Sequence, residues 1–189
     1  MRDMEKILLV VDMQNDFVTG SLGSERALEI VPRVRAKIKE YSKNGYKIIF
    51  TRDSHGDNYL ETQEGKNLPV EHCIAGTDGW RIYGGLDDAD ENHFRFTYVD
   101  KPSFGWPKWN ETFERVIGGG SVDDVGEIEI CGLCTDICVV SNALILKAMF
   151  PEIKITVDAG CCAGVTEESH RAALQTMKMC QVNVVDFDL

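Results

Sequence analysis

Six short apolar runs recur along the chain, and longer segments in which apolar positions follow a helical period separate several of them. Runs of this length that are apolar throughout are typical of strands buried on both faces of a parallel sheet. The predicted strands span residues 6–11, 46–52, 93–99, 127–132, 153–158 and 181–186.

Three of the intervening segments have the pattern of amphipathic helices. In the first, Ile30, Val34 and Ile38 are four positions apart, and Gly45 provides a stop. The last begins with Thr166 as a cap and a glutamate-rich first turn. The predicted helices span residues 27–45, 135–150 and 166–179.

This alternation of strands and helices predicts an α/β fold in three layers, α/β/α, around a six-stranded, mostly parallel sheet. The length of 189 residues fits one domain, since domains run to about 100–200 residues. We therefore expect a single domain over residues 1–189. The least regular part, residues 53–92, is expected to be functional, because long loops inside compact domains usually are.

Composition excludes several classes of partner. The chain has 20 basic and 31 acidic residues, for a net charge of −11, which argues against nucleic acid and anionic membranes as partners. No apolar run approaches the ~20 residues of a membrane span. The opening residues are interpreted as a first strand and not as a signal peptide. Seven cysteines without a secretory signal favour a reducing, cytoplasmic location.

Chemically capable side chains follow the ends of five predicted strands. Ligands of parallel α/β sheets bind beyond the carboxyl ends of the strands. There the sequence places Asp12, the pair Asp53 and His55, Lys101, a cluster of cysteines and Asp158. We expect these groups to meet at one edge of the sheet.

The cysteine cluster is the stretch "CGLCTDICVV", residues 131–140. Cys131 belongs to the predicted strand and is expected in the core, and Cys134 lies in the turn. Cys138 lies about one turn into the predicted helix, where the helix dipole favours a thiolate. Lys101 would lower the pKa of this thiol further, and Asp12 could accept its proton, which together is the arrangement of an activated nucleophile.

Other roles for the cysteines stay open. A metal site made of Cys134 and Cys138 is possible, but this spacing alone is weak support. A thiol redox or sensing protein is a further alternative, suggested by the adjacent Cys161 and Cys162 and by the pair Cys134 and Cys138. Buried cysteines usually act as small apolar residues, and that interpretation is preferred for Cys131, Cys161, Cys162 and Cys180.

These motifs resemble those of the isochorismatase-like cysteine hydrolases, most closely the nicotinamidases, over nearly the whole chain. "LLVVDMQNDFV" resembles the motif that carries the general base, here Asp12. "DKPSF" places the family's lysine at Lys101, and "GLCTDICVV" places the nucleophile at Cys138. The resemblance also implies a cis peptide between Leu133 and Cys134, and an oxyanion hole built from the backbone N–H groups of Cys134 and Cys138.

The same resemblance implies a divalent metal site. "DSH" matches the family's metal-binding pair at Asp53 and His55, and "LPVEHCIAGTDGW" supplies His72. Glu64 is the preferred fourth ligand, with Glu61 as its rival. These ligand types suit Zn, and also Fe or Mn. In nicotinamidases the metal binds the pyridine nitrogen of the substrate. The remaining histidines, His93 and His170, are interpreted as structural.

The expected substrate is a small carboxamide. Phe17 occupies the position at which nicotinamidases stack an aromatic ring on the substrate, and Phe104, Trp80 and Trp106 could line the same pocket. The leading hypothesis is hydrolysis of nicotinamide to nicotinate and ammonia through a thioester. An N-carbamoyl or ureido substrate is the alternative within the same superfamily. The resemblance further implies a homo-oligomer.

Overall fold

One parallel sheet forms the centre of the protein. The computed structural model describes residues 4–88 and 96–187. Within them the strand order is β3-β2-β1-β4-β5-β6, and every neighbouring pair is parallel. The strands are β1 (Glu5–Val11), β2 (Lys47–Asp53), β3 (Phe96–Lys101), β4 (Val125–Leu133), β5 (Lys154–Ala163) and β6 (Asn183–Val185). The predicted six-stranded α/β fold is confirmed.

Helices cover both faces of this sheet. They are α1 (Asn15–Val18), α2 (Glu25–Lys43), α3 (Gln63–Asn67), α4 (Trp109–Ile117), α5 (Val140–Met149) and α6 (Glu167–Met179). Helix α2 begins at Ser24, whose side chain accepts the Ala27 N–H at 3.1 Å. Its predicted apolar positions Ile30, Val34 and Ile38 are all buried.

Two apolar cores lie on opposite faces of the sheet. One packs the apolar face of α2 against β1, β2 and β5. The other joins side chains of α4, α5 and α6 to the opposite face of the same strands. The architecture is therefore the expected three layers, α/β/α.

The prediction for the fifth strand needs correction. Strand β5 continues to Ala163, since its last residues, "AGCCA", are small enough to extend the strand between the layers. Asp158 therefore lies inside the strand, 2.7 Å from Lys37 on α2, and the expectation that it stands at the functional edge was wrong. Residues 93–95, which include His93, lie outside the described residues.

The predicted helix over 135–150 is two elements. A π-helical turn, Thr135–Val139, precedes helix α5. Helices α1, α3 and α4 were not predicted; α1 and α3 are too short to show a helical period. Across residues 4–88 and 96–187, no helix is both long enough and apolar enough to cross a membrane.

Candidate active site

Asp12, Lys101 and Cys138 meet at the carboxyl edge of the sheet. Asp12 directly follows β1, Lys101 ends β3, and Cys138 lies in the π-helical turn after β4. The Lys101 Nζ atom is 2.6 Å from Asp12 Oδ2 and 3.4 Å from Cys138 Sγ. Asp12 and Lys101 are fully buried, and Cys138 nearly so. Their side chains thus form one compact group, largely removed from water.

The end of β1 turns sharply to present Asp12. Its φ of 47° lies in the left-handed region, which few residues other than glycine adopt readily. Thr51 on the neighbouring β2 holds the turned residue, since its hydroxyl donates to Asp12 Oδ1 at 2.6 Å and accepts the Asp12 N–H at 3.2 Å. Two bonds to one side chain therefore fix the direction of the carboxylate.

The protonation states differ from the expectation for Cys138. Burial, and then the Asp12 carboxylate, raise the pKa of the Cys138 thiol well above its usual value. Burial also raises the pKa of Asp12, although Lys101 opposes this shift. Burial disfavours the charge of Lys101, but Asp12 and Cys138 raise the pKa of its ammonium overall. The predicted lowered pKa of Cys138 was wrong, because the loss of water outweighs the attraction of Lys101.

The turn before Cys138 brings β4 close to β1. Gly132 has a φ of 117°, and a Cβ there would lie 2.1 Å from the Val11 carbonyl oxygen. The Leu133–Cys134 peptide is cis, as expected. The Cys134 carbonyl accepts the N–H groups of Ile137 and Val139, on either side of Cys138. The backbone of this turn is therefore tightly folded around the thiol.

A second polar cluster lies next to the first. Asp53, His55, Glu64 and His72 each offer one ligand atom, and these atoms lie within 4.8 Å of one another. His55 Nε2 is 2.9 Å and His72 Nε2 3.4 Å from Asp53 Oδ2. Glu64 Oε1 is 3.6 Å from His55 Nε2, whereas Glu61 is exposed and stands outside the cluster.

The donor set of this cluster fits a divalent cation. His72 Nδ1 contacts the Val70 carbonyl at 2.8 Å, which leaves the lone pair of Nε2 facing two carboxylates when the ring is neutral. Asp53 Oδ1 is buried without a hydrogen-bond partner among the described residues. Two imidazoles and two carboxylates are the ligands that Zn, Fe and Mn accept, so a cation would satisfy these facing acceptors.

Charge within the cluster is held mainly by Asp53. Burial favours its neutral form, but hydrogen bonds from His55 and His72 lower the pKa of Asp53 overall. Burial and the Asp53 carboxylate raise the pKa of Glu64. Against burial, the bond to Asp53 raises the pKa of His72. The Asp53 carboxylate is thus held in its ionised form between the two histidines.

Residues 6–188 match the Isochorismatase domain family. The chain belongs to this family. The predicted resemblance is confirmed at this level.

Three known proteins illustrate how similar the family members are. The nicotinamidase/pyrazinamidase of Mycobacterium tuberculosis is 24% identical over 95% of this chain and 98% of its own. The nicotinamidase structure from Bacillus subtilis has a TM-score of 0.81 and 27% identity, covering 97% and 100% of the two chains. The zinc complex of pyrazinamidase from Pyrococcus horikoshii has a TM-score of 0.77 and 27% identity, covering 97% and 99%. These matches support an enzyme that hydrolyses an amide.

This isochorismatase-family chain has a cavity of about 560 Å³ beside the two clusters. Cys134 and Cys138 line it, and so do three of the four candidate metal ligands, Asp53, Glu64 and His72. Phe17 and Phe104 also line it, and the Phe17 ring lies 5.5 Å from that of His72. The thiol and three of the four candidate metal ligands therefore line the same cavity.

The two predicted tryptophans do not line this cavity. Trp80 stacks on the Arg52 guanidinium at 3.8 Å, and its Nε1 donates to Ser54 Oγ. Trp106 packs against the core and donates to Thr112. His170 also lies outside, with Nδ1 2.8 Å from Thr135 Oγ1. The aromatic character of Trp80 and Trp106 alone did not show whether they contact the substrate or have a structural role.

The sequence interpretation did not identify Gln14 as part of the site. Gln14 is fully buried. Its amide nitrogen donates to the carbonyls of Asp53 and Trp80, both at 2.9 Å, and its carbonyl accepts the Asp53 N–H at 2.7 Å. Gln14 thereby ties the end of β1 to the candidate metal ligand Asp53. The only signal in the sequence was an amide side chain two positions after Asp12, at the end of an apolar strand.

Asn142 was missed as well. One turn after Cys138, its amide donates to the Cys138 carbonyl at 2.8 Å and to the Phe104 carbonyl at 3.1 Å, and its oxygen accepts the Trp106 N–H at 2.9 Å. It is fully buried. Asn142 therefore fixes the loop that carries Phe104 to the helix behind the thiol.

Proposed function

We propose that this protein is a cysteine amidohydrolase that converts nicotinamide to nicotinate and ammonia. The observation that carries the proposal is the joint contact of Lys101 Nζ with Asp12 Oδ2 and Cys138 Sγ at 2.6 and 3.4 Å, next to a cavity with metal-binding side chains. The similarity to proteins named nicotinamidase supports the choice of substrate.

Acylation begins with transfer of the Cys138 proton to Asp12. Because the thiol has a raised pKa, deprotonation and attack on the carboxamide carbon are coupled, and the raised pKa of Asp12 suits it to accept the proton. The sulfur–carbon bond forms, and the carbonyl oxygen gains a negative charge. Asp12 then returns the proton to the nitrogen, the carbon–nitrogen bond breaks, and ammonia leaves a thioester on Cys138.

Deacylation uses the same groups, with water in the place that ammonia has left. Asp12 takes a proton from water, the hydroxyl adds to the thioester carbon, and the sulfur–carbon bond breaks. The proton on Asp12 returns to the sulfur, and the acid is released. The N–H groups of Cys134 and Cys138 hold the oxyanion in both steps, and the ammonium of Lys101 balances the charge that moves between carboxylate and sulfur.

Asp53, His55, Glu64 and His72 would hold the divalent metal. A bound metal would supply a Lewis-acidic anchor for a ring nitrogen of the substrate. Phe17, whose ring lies beside that of His72, would stack on the same ring. These contacts orient the carboxamide toward Cys138.

The first test is ammonia release from nicotinamide by purified protein and two variants. Cys138→Ala should lower kcat/KM by about a thousandfold or more, because loss of a nucleophile removes the covalent route. Cys134→Ala is the matched control and should keep most of the activity, since only its backbone N–H is used. Near wild-type ammonia release by Cys138→Ala would refute the thioester mechanism.

Metal dependence is tested separately. Removing bound metal with a chelator should lower ammonia release, and adding back Zn, Fe or Mn should restore it. Protein that releases ammonia at an unchanged rate after complete metal removal would contradict the proposed role of the cluster around Asp53. Metal content, measured on the same samples by atomic absorption, shows whether removal was complete.

The N-carbamoyl alternative uses the same Asp12, Lys101 and Cys138. It predicts ammonia release from an N-carbamoyl compound and none from nicotinamide. Running both substrates in the same assay decides between the two.

A further inference from the structure

The catalytic cavity extends past the two polar clusters. Its volume of about 560 Å³ lies in the range of about 300–1,000 Å³ that holds drug-sized ligands, so a single-ring amide leaves part of it unfilled. Beyond the candidate ligands, the cysteines, Phe17, Leu68 and Phe104, the lining comes from residues in three segments, 22–27, 133–138 and 163–165; Arg26 and Asp136 within these segments do not line it.

The lining from these three segments is apolar apart from Ser24 and the cysteines. Leu22, Ala27, Ile137 and Val165 face the cavity. The Ser24 hydroxyl caps helix α2 by accepting the Ala27 N–H. None of the described residues that line the cavity is a lysine or an arginine. The extra volume therefore offers apolar contact and no cation to pair with an anionic substituent.

Exposed apolar side chains surround the mouth. Leu68, Phe104 and Val165 line the cavity, and their residues are 38%, 46% and 61% exposed. Large apolar side chains left in water beside a cleft mark a binding surface. Because they share a cavity with Cys138, a ligand bound to them is within the site of reaction.

We propose that the physiological substrate class is a ring carboxamide with an uncharged, apolar substituent, which packs against Leu22, Ala27 and Val165. This inference rests on the proposed amide hydrolysis. It also opposes a substituent that carries a carboxylate, since the carboxylate would lose water against Leu22, Ala27 and Val165, where no lysine or arginine of the described residues lines the cavity. The occupant is the substrate itself and not a second copy of the chain, because the apolar lining continues inward to the thiol.

The experiment compares three amides in the ammonia-release assay with the metal-loaded protein. They are nicotinamide, nicotinamide with an n-butyl group on the ring, and the carboxypropyl compound of nearly the same shape. The butyl compound should have a kcat/KM about tenfold or more above that of nicotinamide, because even one well-placed methylene is worth about that factor. The carboxypropyl compound should fall about tenfold or more below the butyl compound.

A pair of variants tests whether the substituent binds against the apolar wall at Val165. Val165→Lys places a cation in the apolar wall at an exposed position, so it should lower the butyl-to-nicotinamide ratio of kcat/KM and raise the carboxypropyl-to-nicotinamide ratio. Met179→Lys makes the same change at an exposed residue outside the cavity and should leave both ratios unchanged.

The outcomes separate the two proposals. If none of the three amides releases ammonia, the proposed function fails, and the substrate class fails with it. Hydrolysis of nicotinamide without any gain from the butyl group overturns the substrate class and leaves the amidohydrolase in place. Equal effects of Val165→Lys and Met179→Lys on the ratios would also overturn it, because the apolar wall would then not contact the substituent.

Discussion

Cys138 illustrates how burial changes the chemistry of a residue that the sequence singles out as a candidate nucleophile. The motif and its spacing place this thiol at the functional edge, where it contacts Lys101. Its pKa is nevertheless raised, because the site excludes water. A resting thiol beside a carboxylate is protected from oxidation, since the thiolate is the reactive form. The proposed catalysis therefore depends on Asp12 at the moment of attack.

Gln14 should be important for stability and for the candidate metal site. Gln14→Leu removes the side-chain partner of the buried Asp53 N–H and carbonyl and of the half-buried Trp80 carbonyl, and an unsatisfied buried group costs about 1–3 kcal/mol. We expect the free energy of unfolding to fall by at least about 2 kcal/mol in a urea titration, and the bound metal to decrease. Gln175→Leu, at an exposed position of α6, is the control and should change stability by less than about 0.5 kcal/mol. A Gln14→Leu protein as stable as wild type would contradict this role.

The segment after β4 shows, at the level of a secondary-structure element, how the tertiary structure departs from the local sequence pattern. The sequence predicts one helix from 135, but the structure has a π-helical turn first. This turn and the tight approach at Gly132 place the N–H groups and the thiol at the sheet edge. Asn142, on the following helix, bonds back to the Cys138 carbonyl.

Gly132 should tolerate no side chain. Gly132→Ala forces a Cβ against the Val11 carbonyl and keeps a φ of 117°, so we expect a loss of about 3 kcal/mol or more in unfolding free energy. Gly119→Ala is the matched control, since Gly119 also has a positive φ, 97°, but open space around it. It should lose only about 1–2 kcal/mol. Similar losses in both variants would show that the approach of β4 to β1 is not the cause.

Taken over both faces of the sheet, the packing argues against a redox pair formed by Cys161 and Cys162. Cys161 belongs to the core under α2, and Cys162 belongs to the core on the other face, because successive side chains of a strand point in opposite directions. All seven cysteines are free thiols in the structure. Six of them are buried or half-buried, and only Cys180 is exposed.

A thiol titration checks this arrangement. Native protein should show one rapidly labelled thiol with a maleimide, and Cys180→Ser should remove that fast reaction. After mild oxidation, protein unfolded without reductant should still show all seven thiols. The loss of two thiols on oxidation, reversed by a reductant, would favour redox sensing over hydrolysis.

The amino-acid sequence by itself determined the α/β class and most strand positions, and it singled out the candidate site residues. These follow from local patterns: apolar runs, the four-residue spacing in α2, and motifs at strand ends. The carboxyl end of β5 and the π-helical turn did not follow from such patterns. Small residues such as those at 159–163 carry little periodicity.

Only the tertiary structure decided which groups meet. Asp158 and Asp53 both stand at the carboxyl end of a predicted strand, yet Asp158 pairs with Lys37 in the middle of β5 and Asp53 lies in the candidate metal cluster. The choice of Glu64 over Glu61, the roles of Gln14 and Asn142, and the raised pKa of Cys138 likewise depend on side chains distant in sequence. Burial and distance set these properties, and neither is a property of a local pattern.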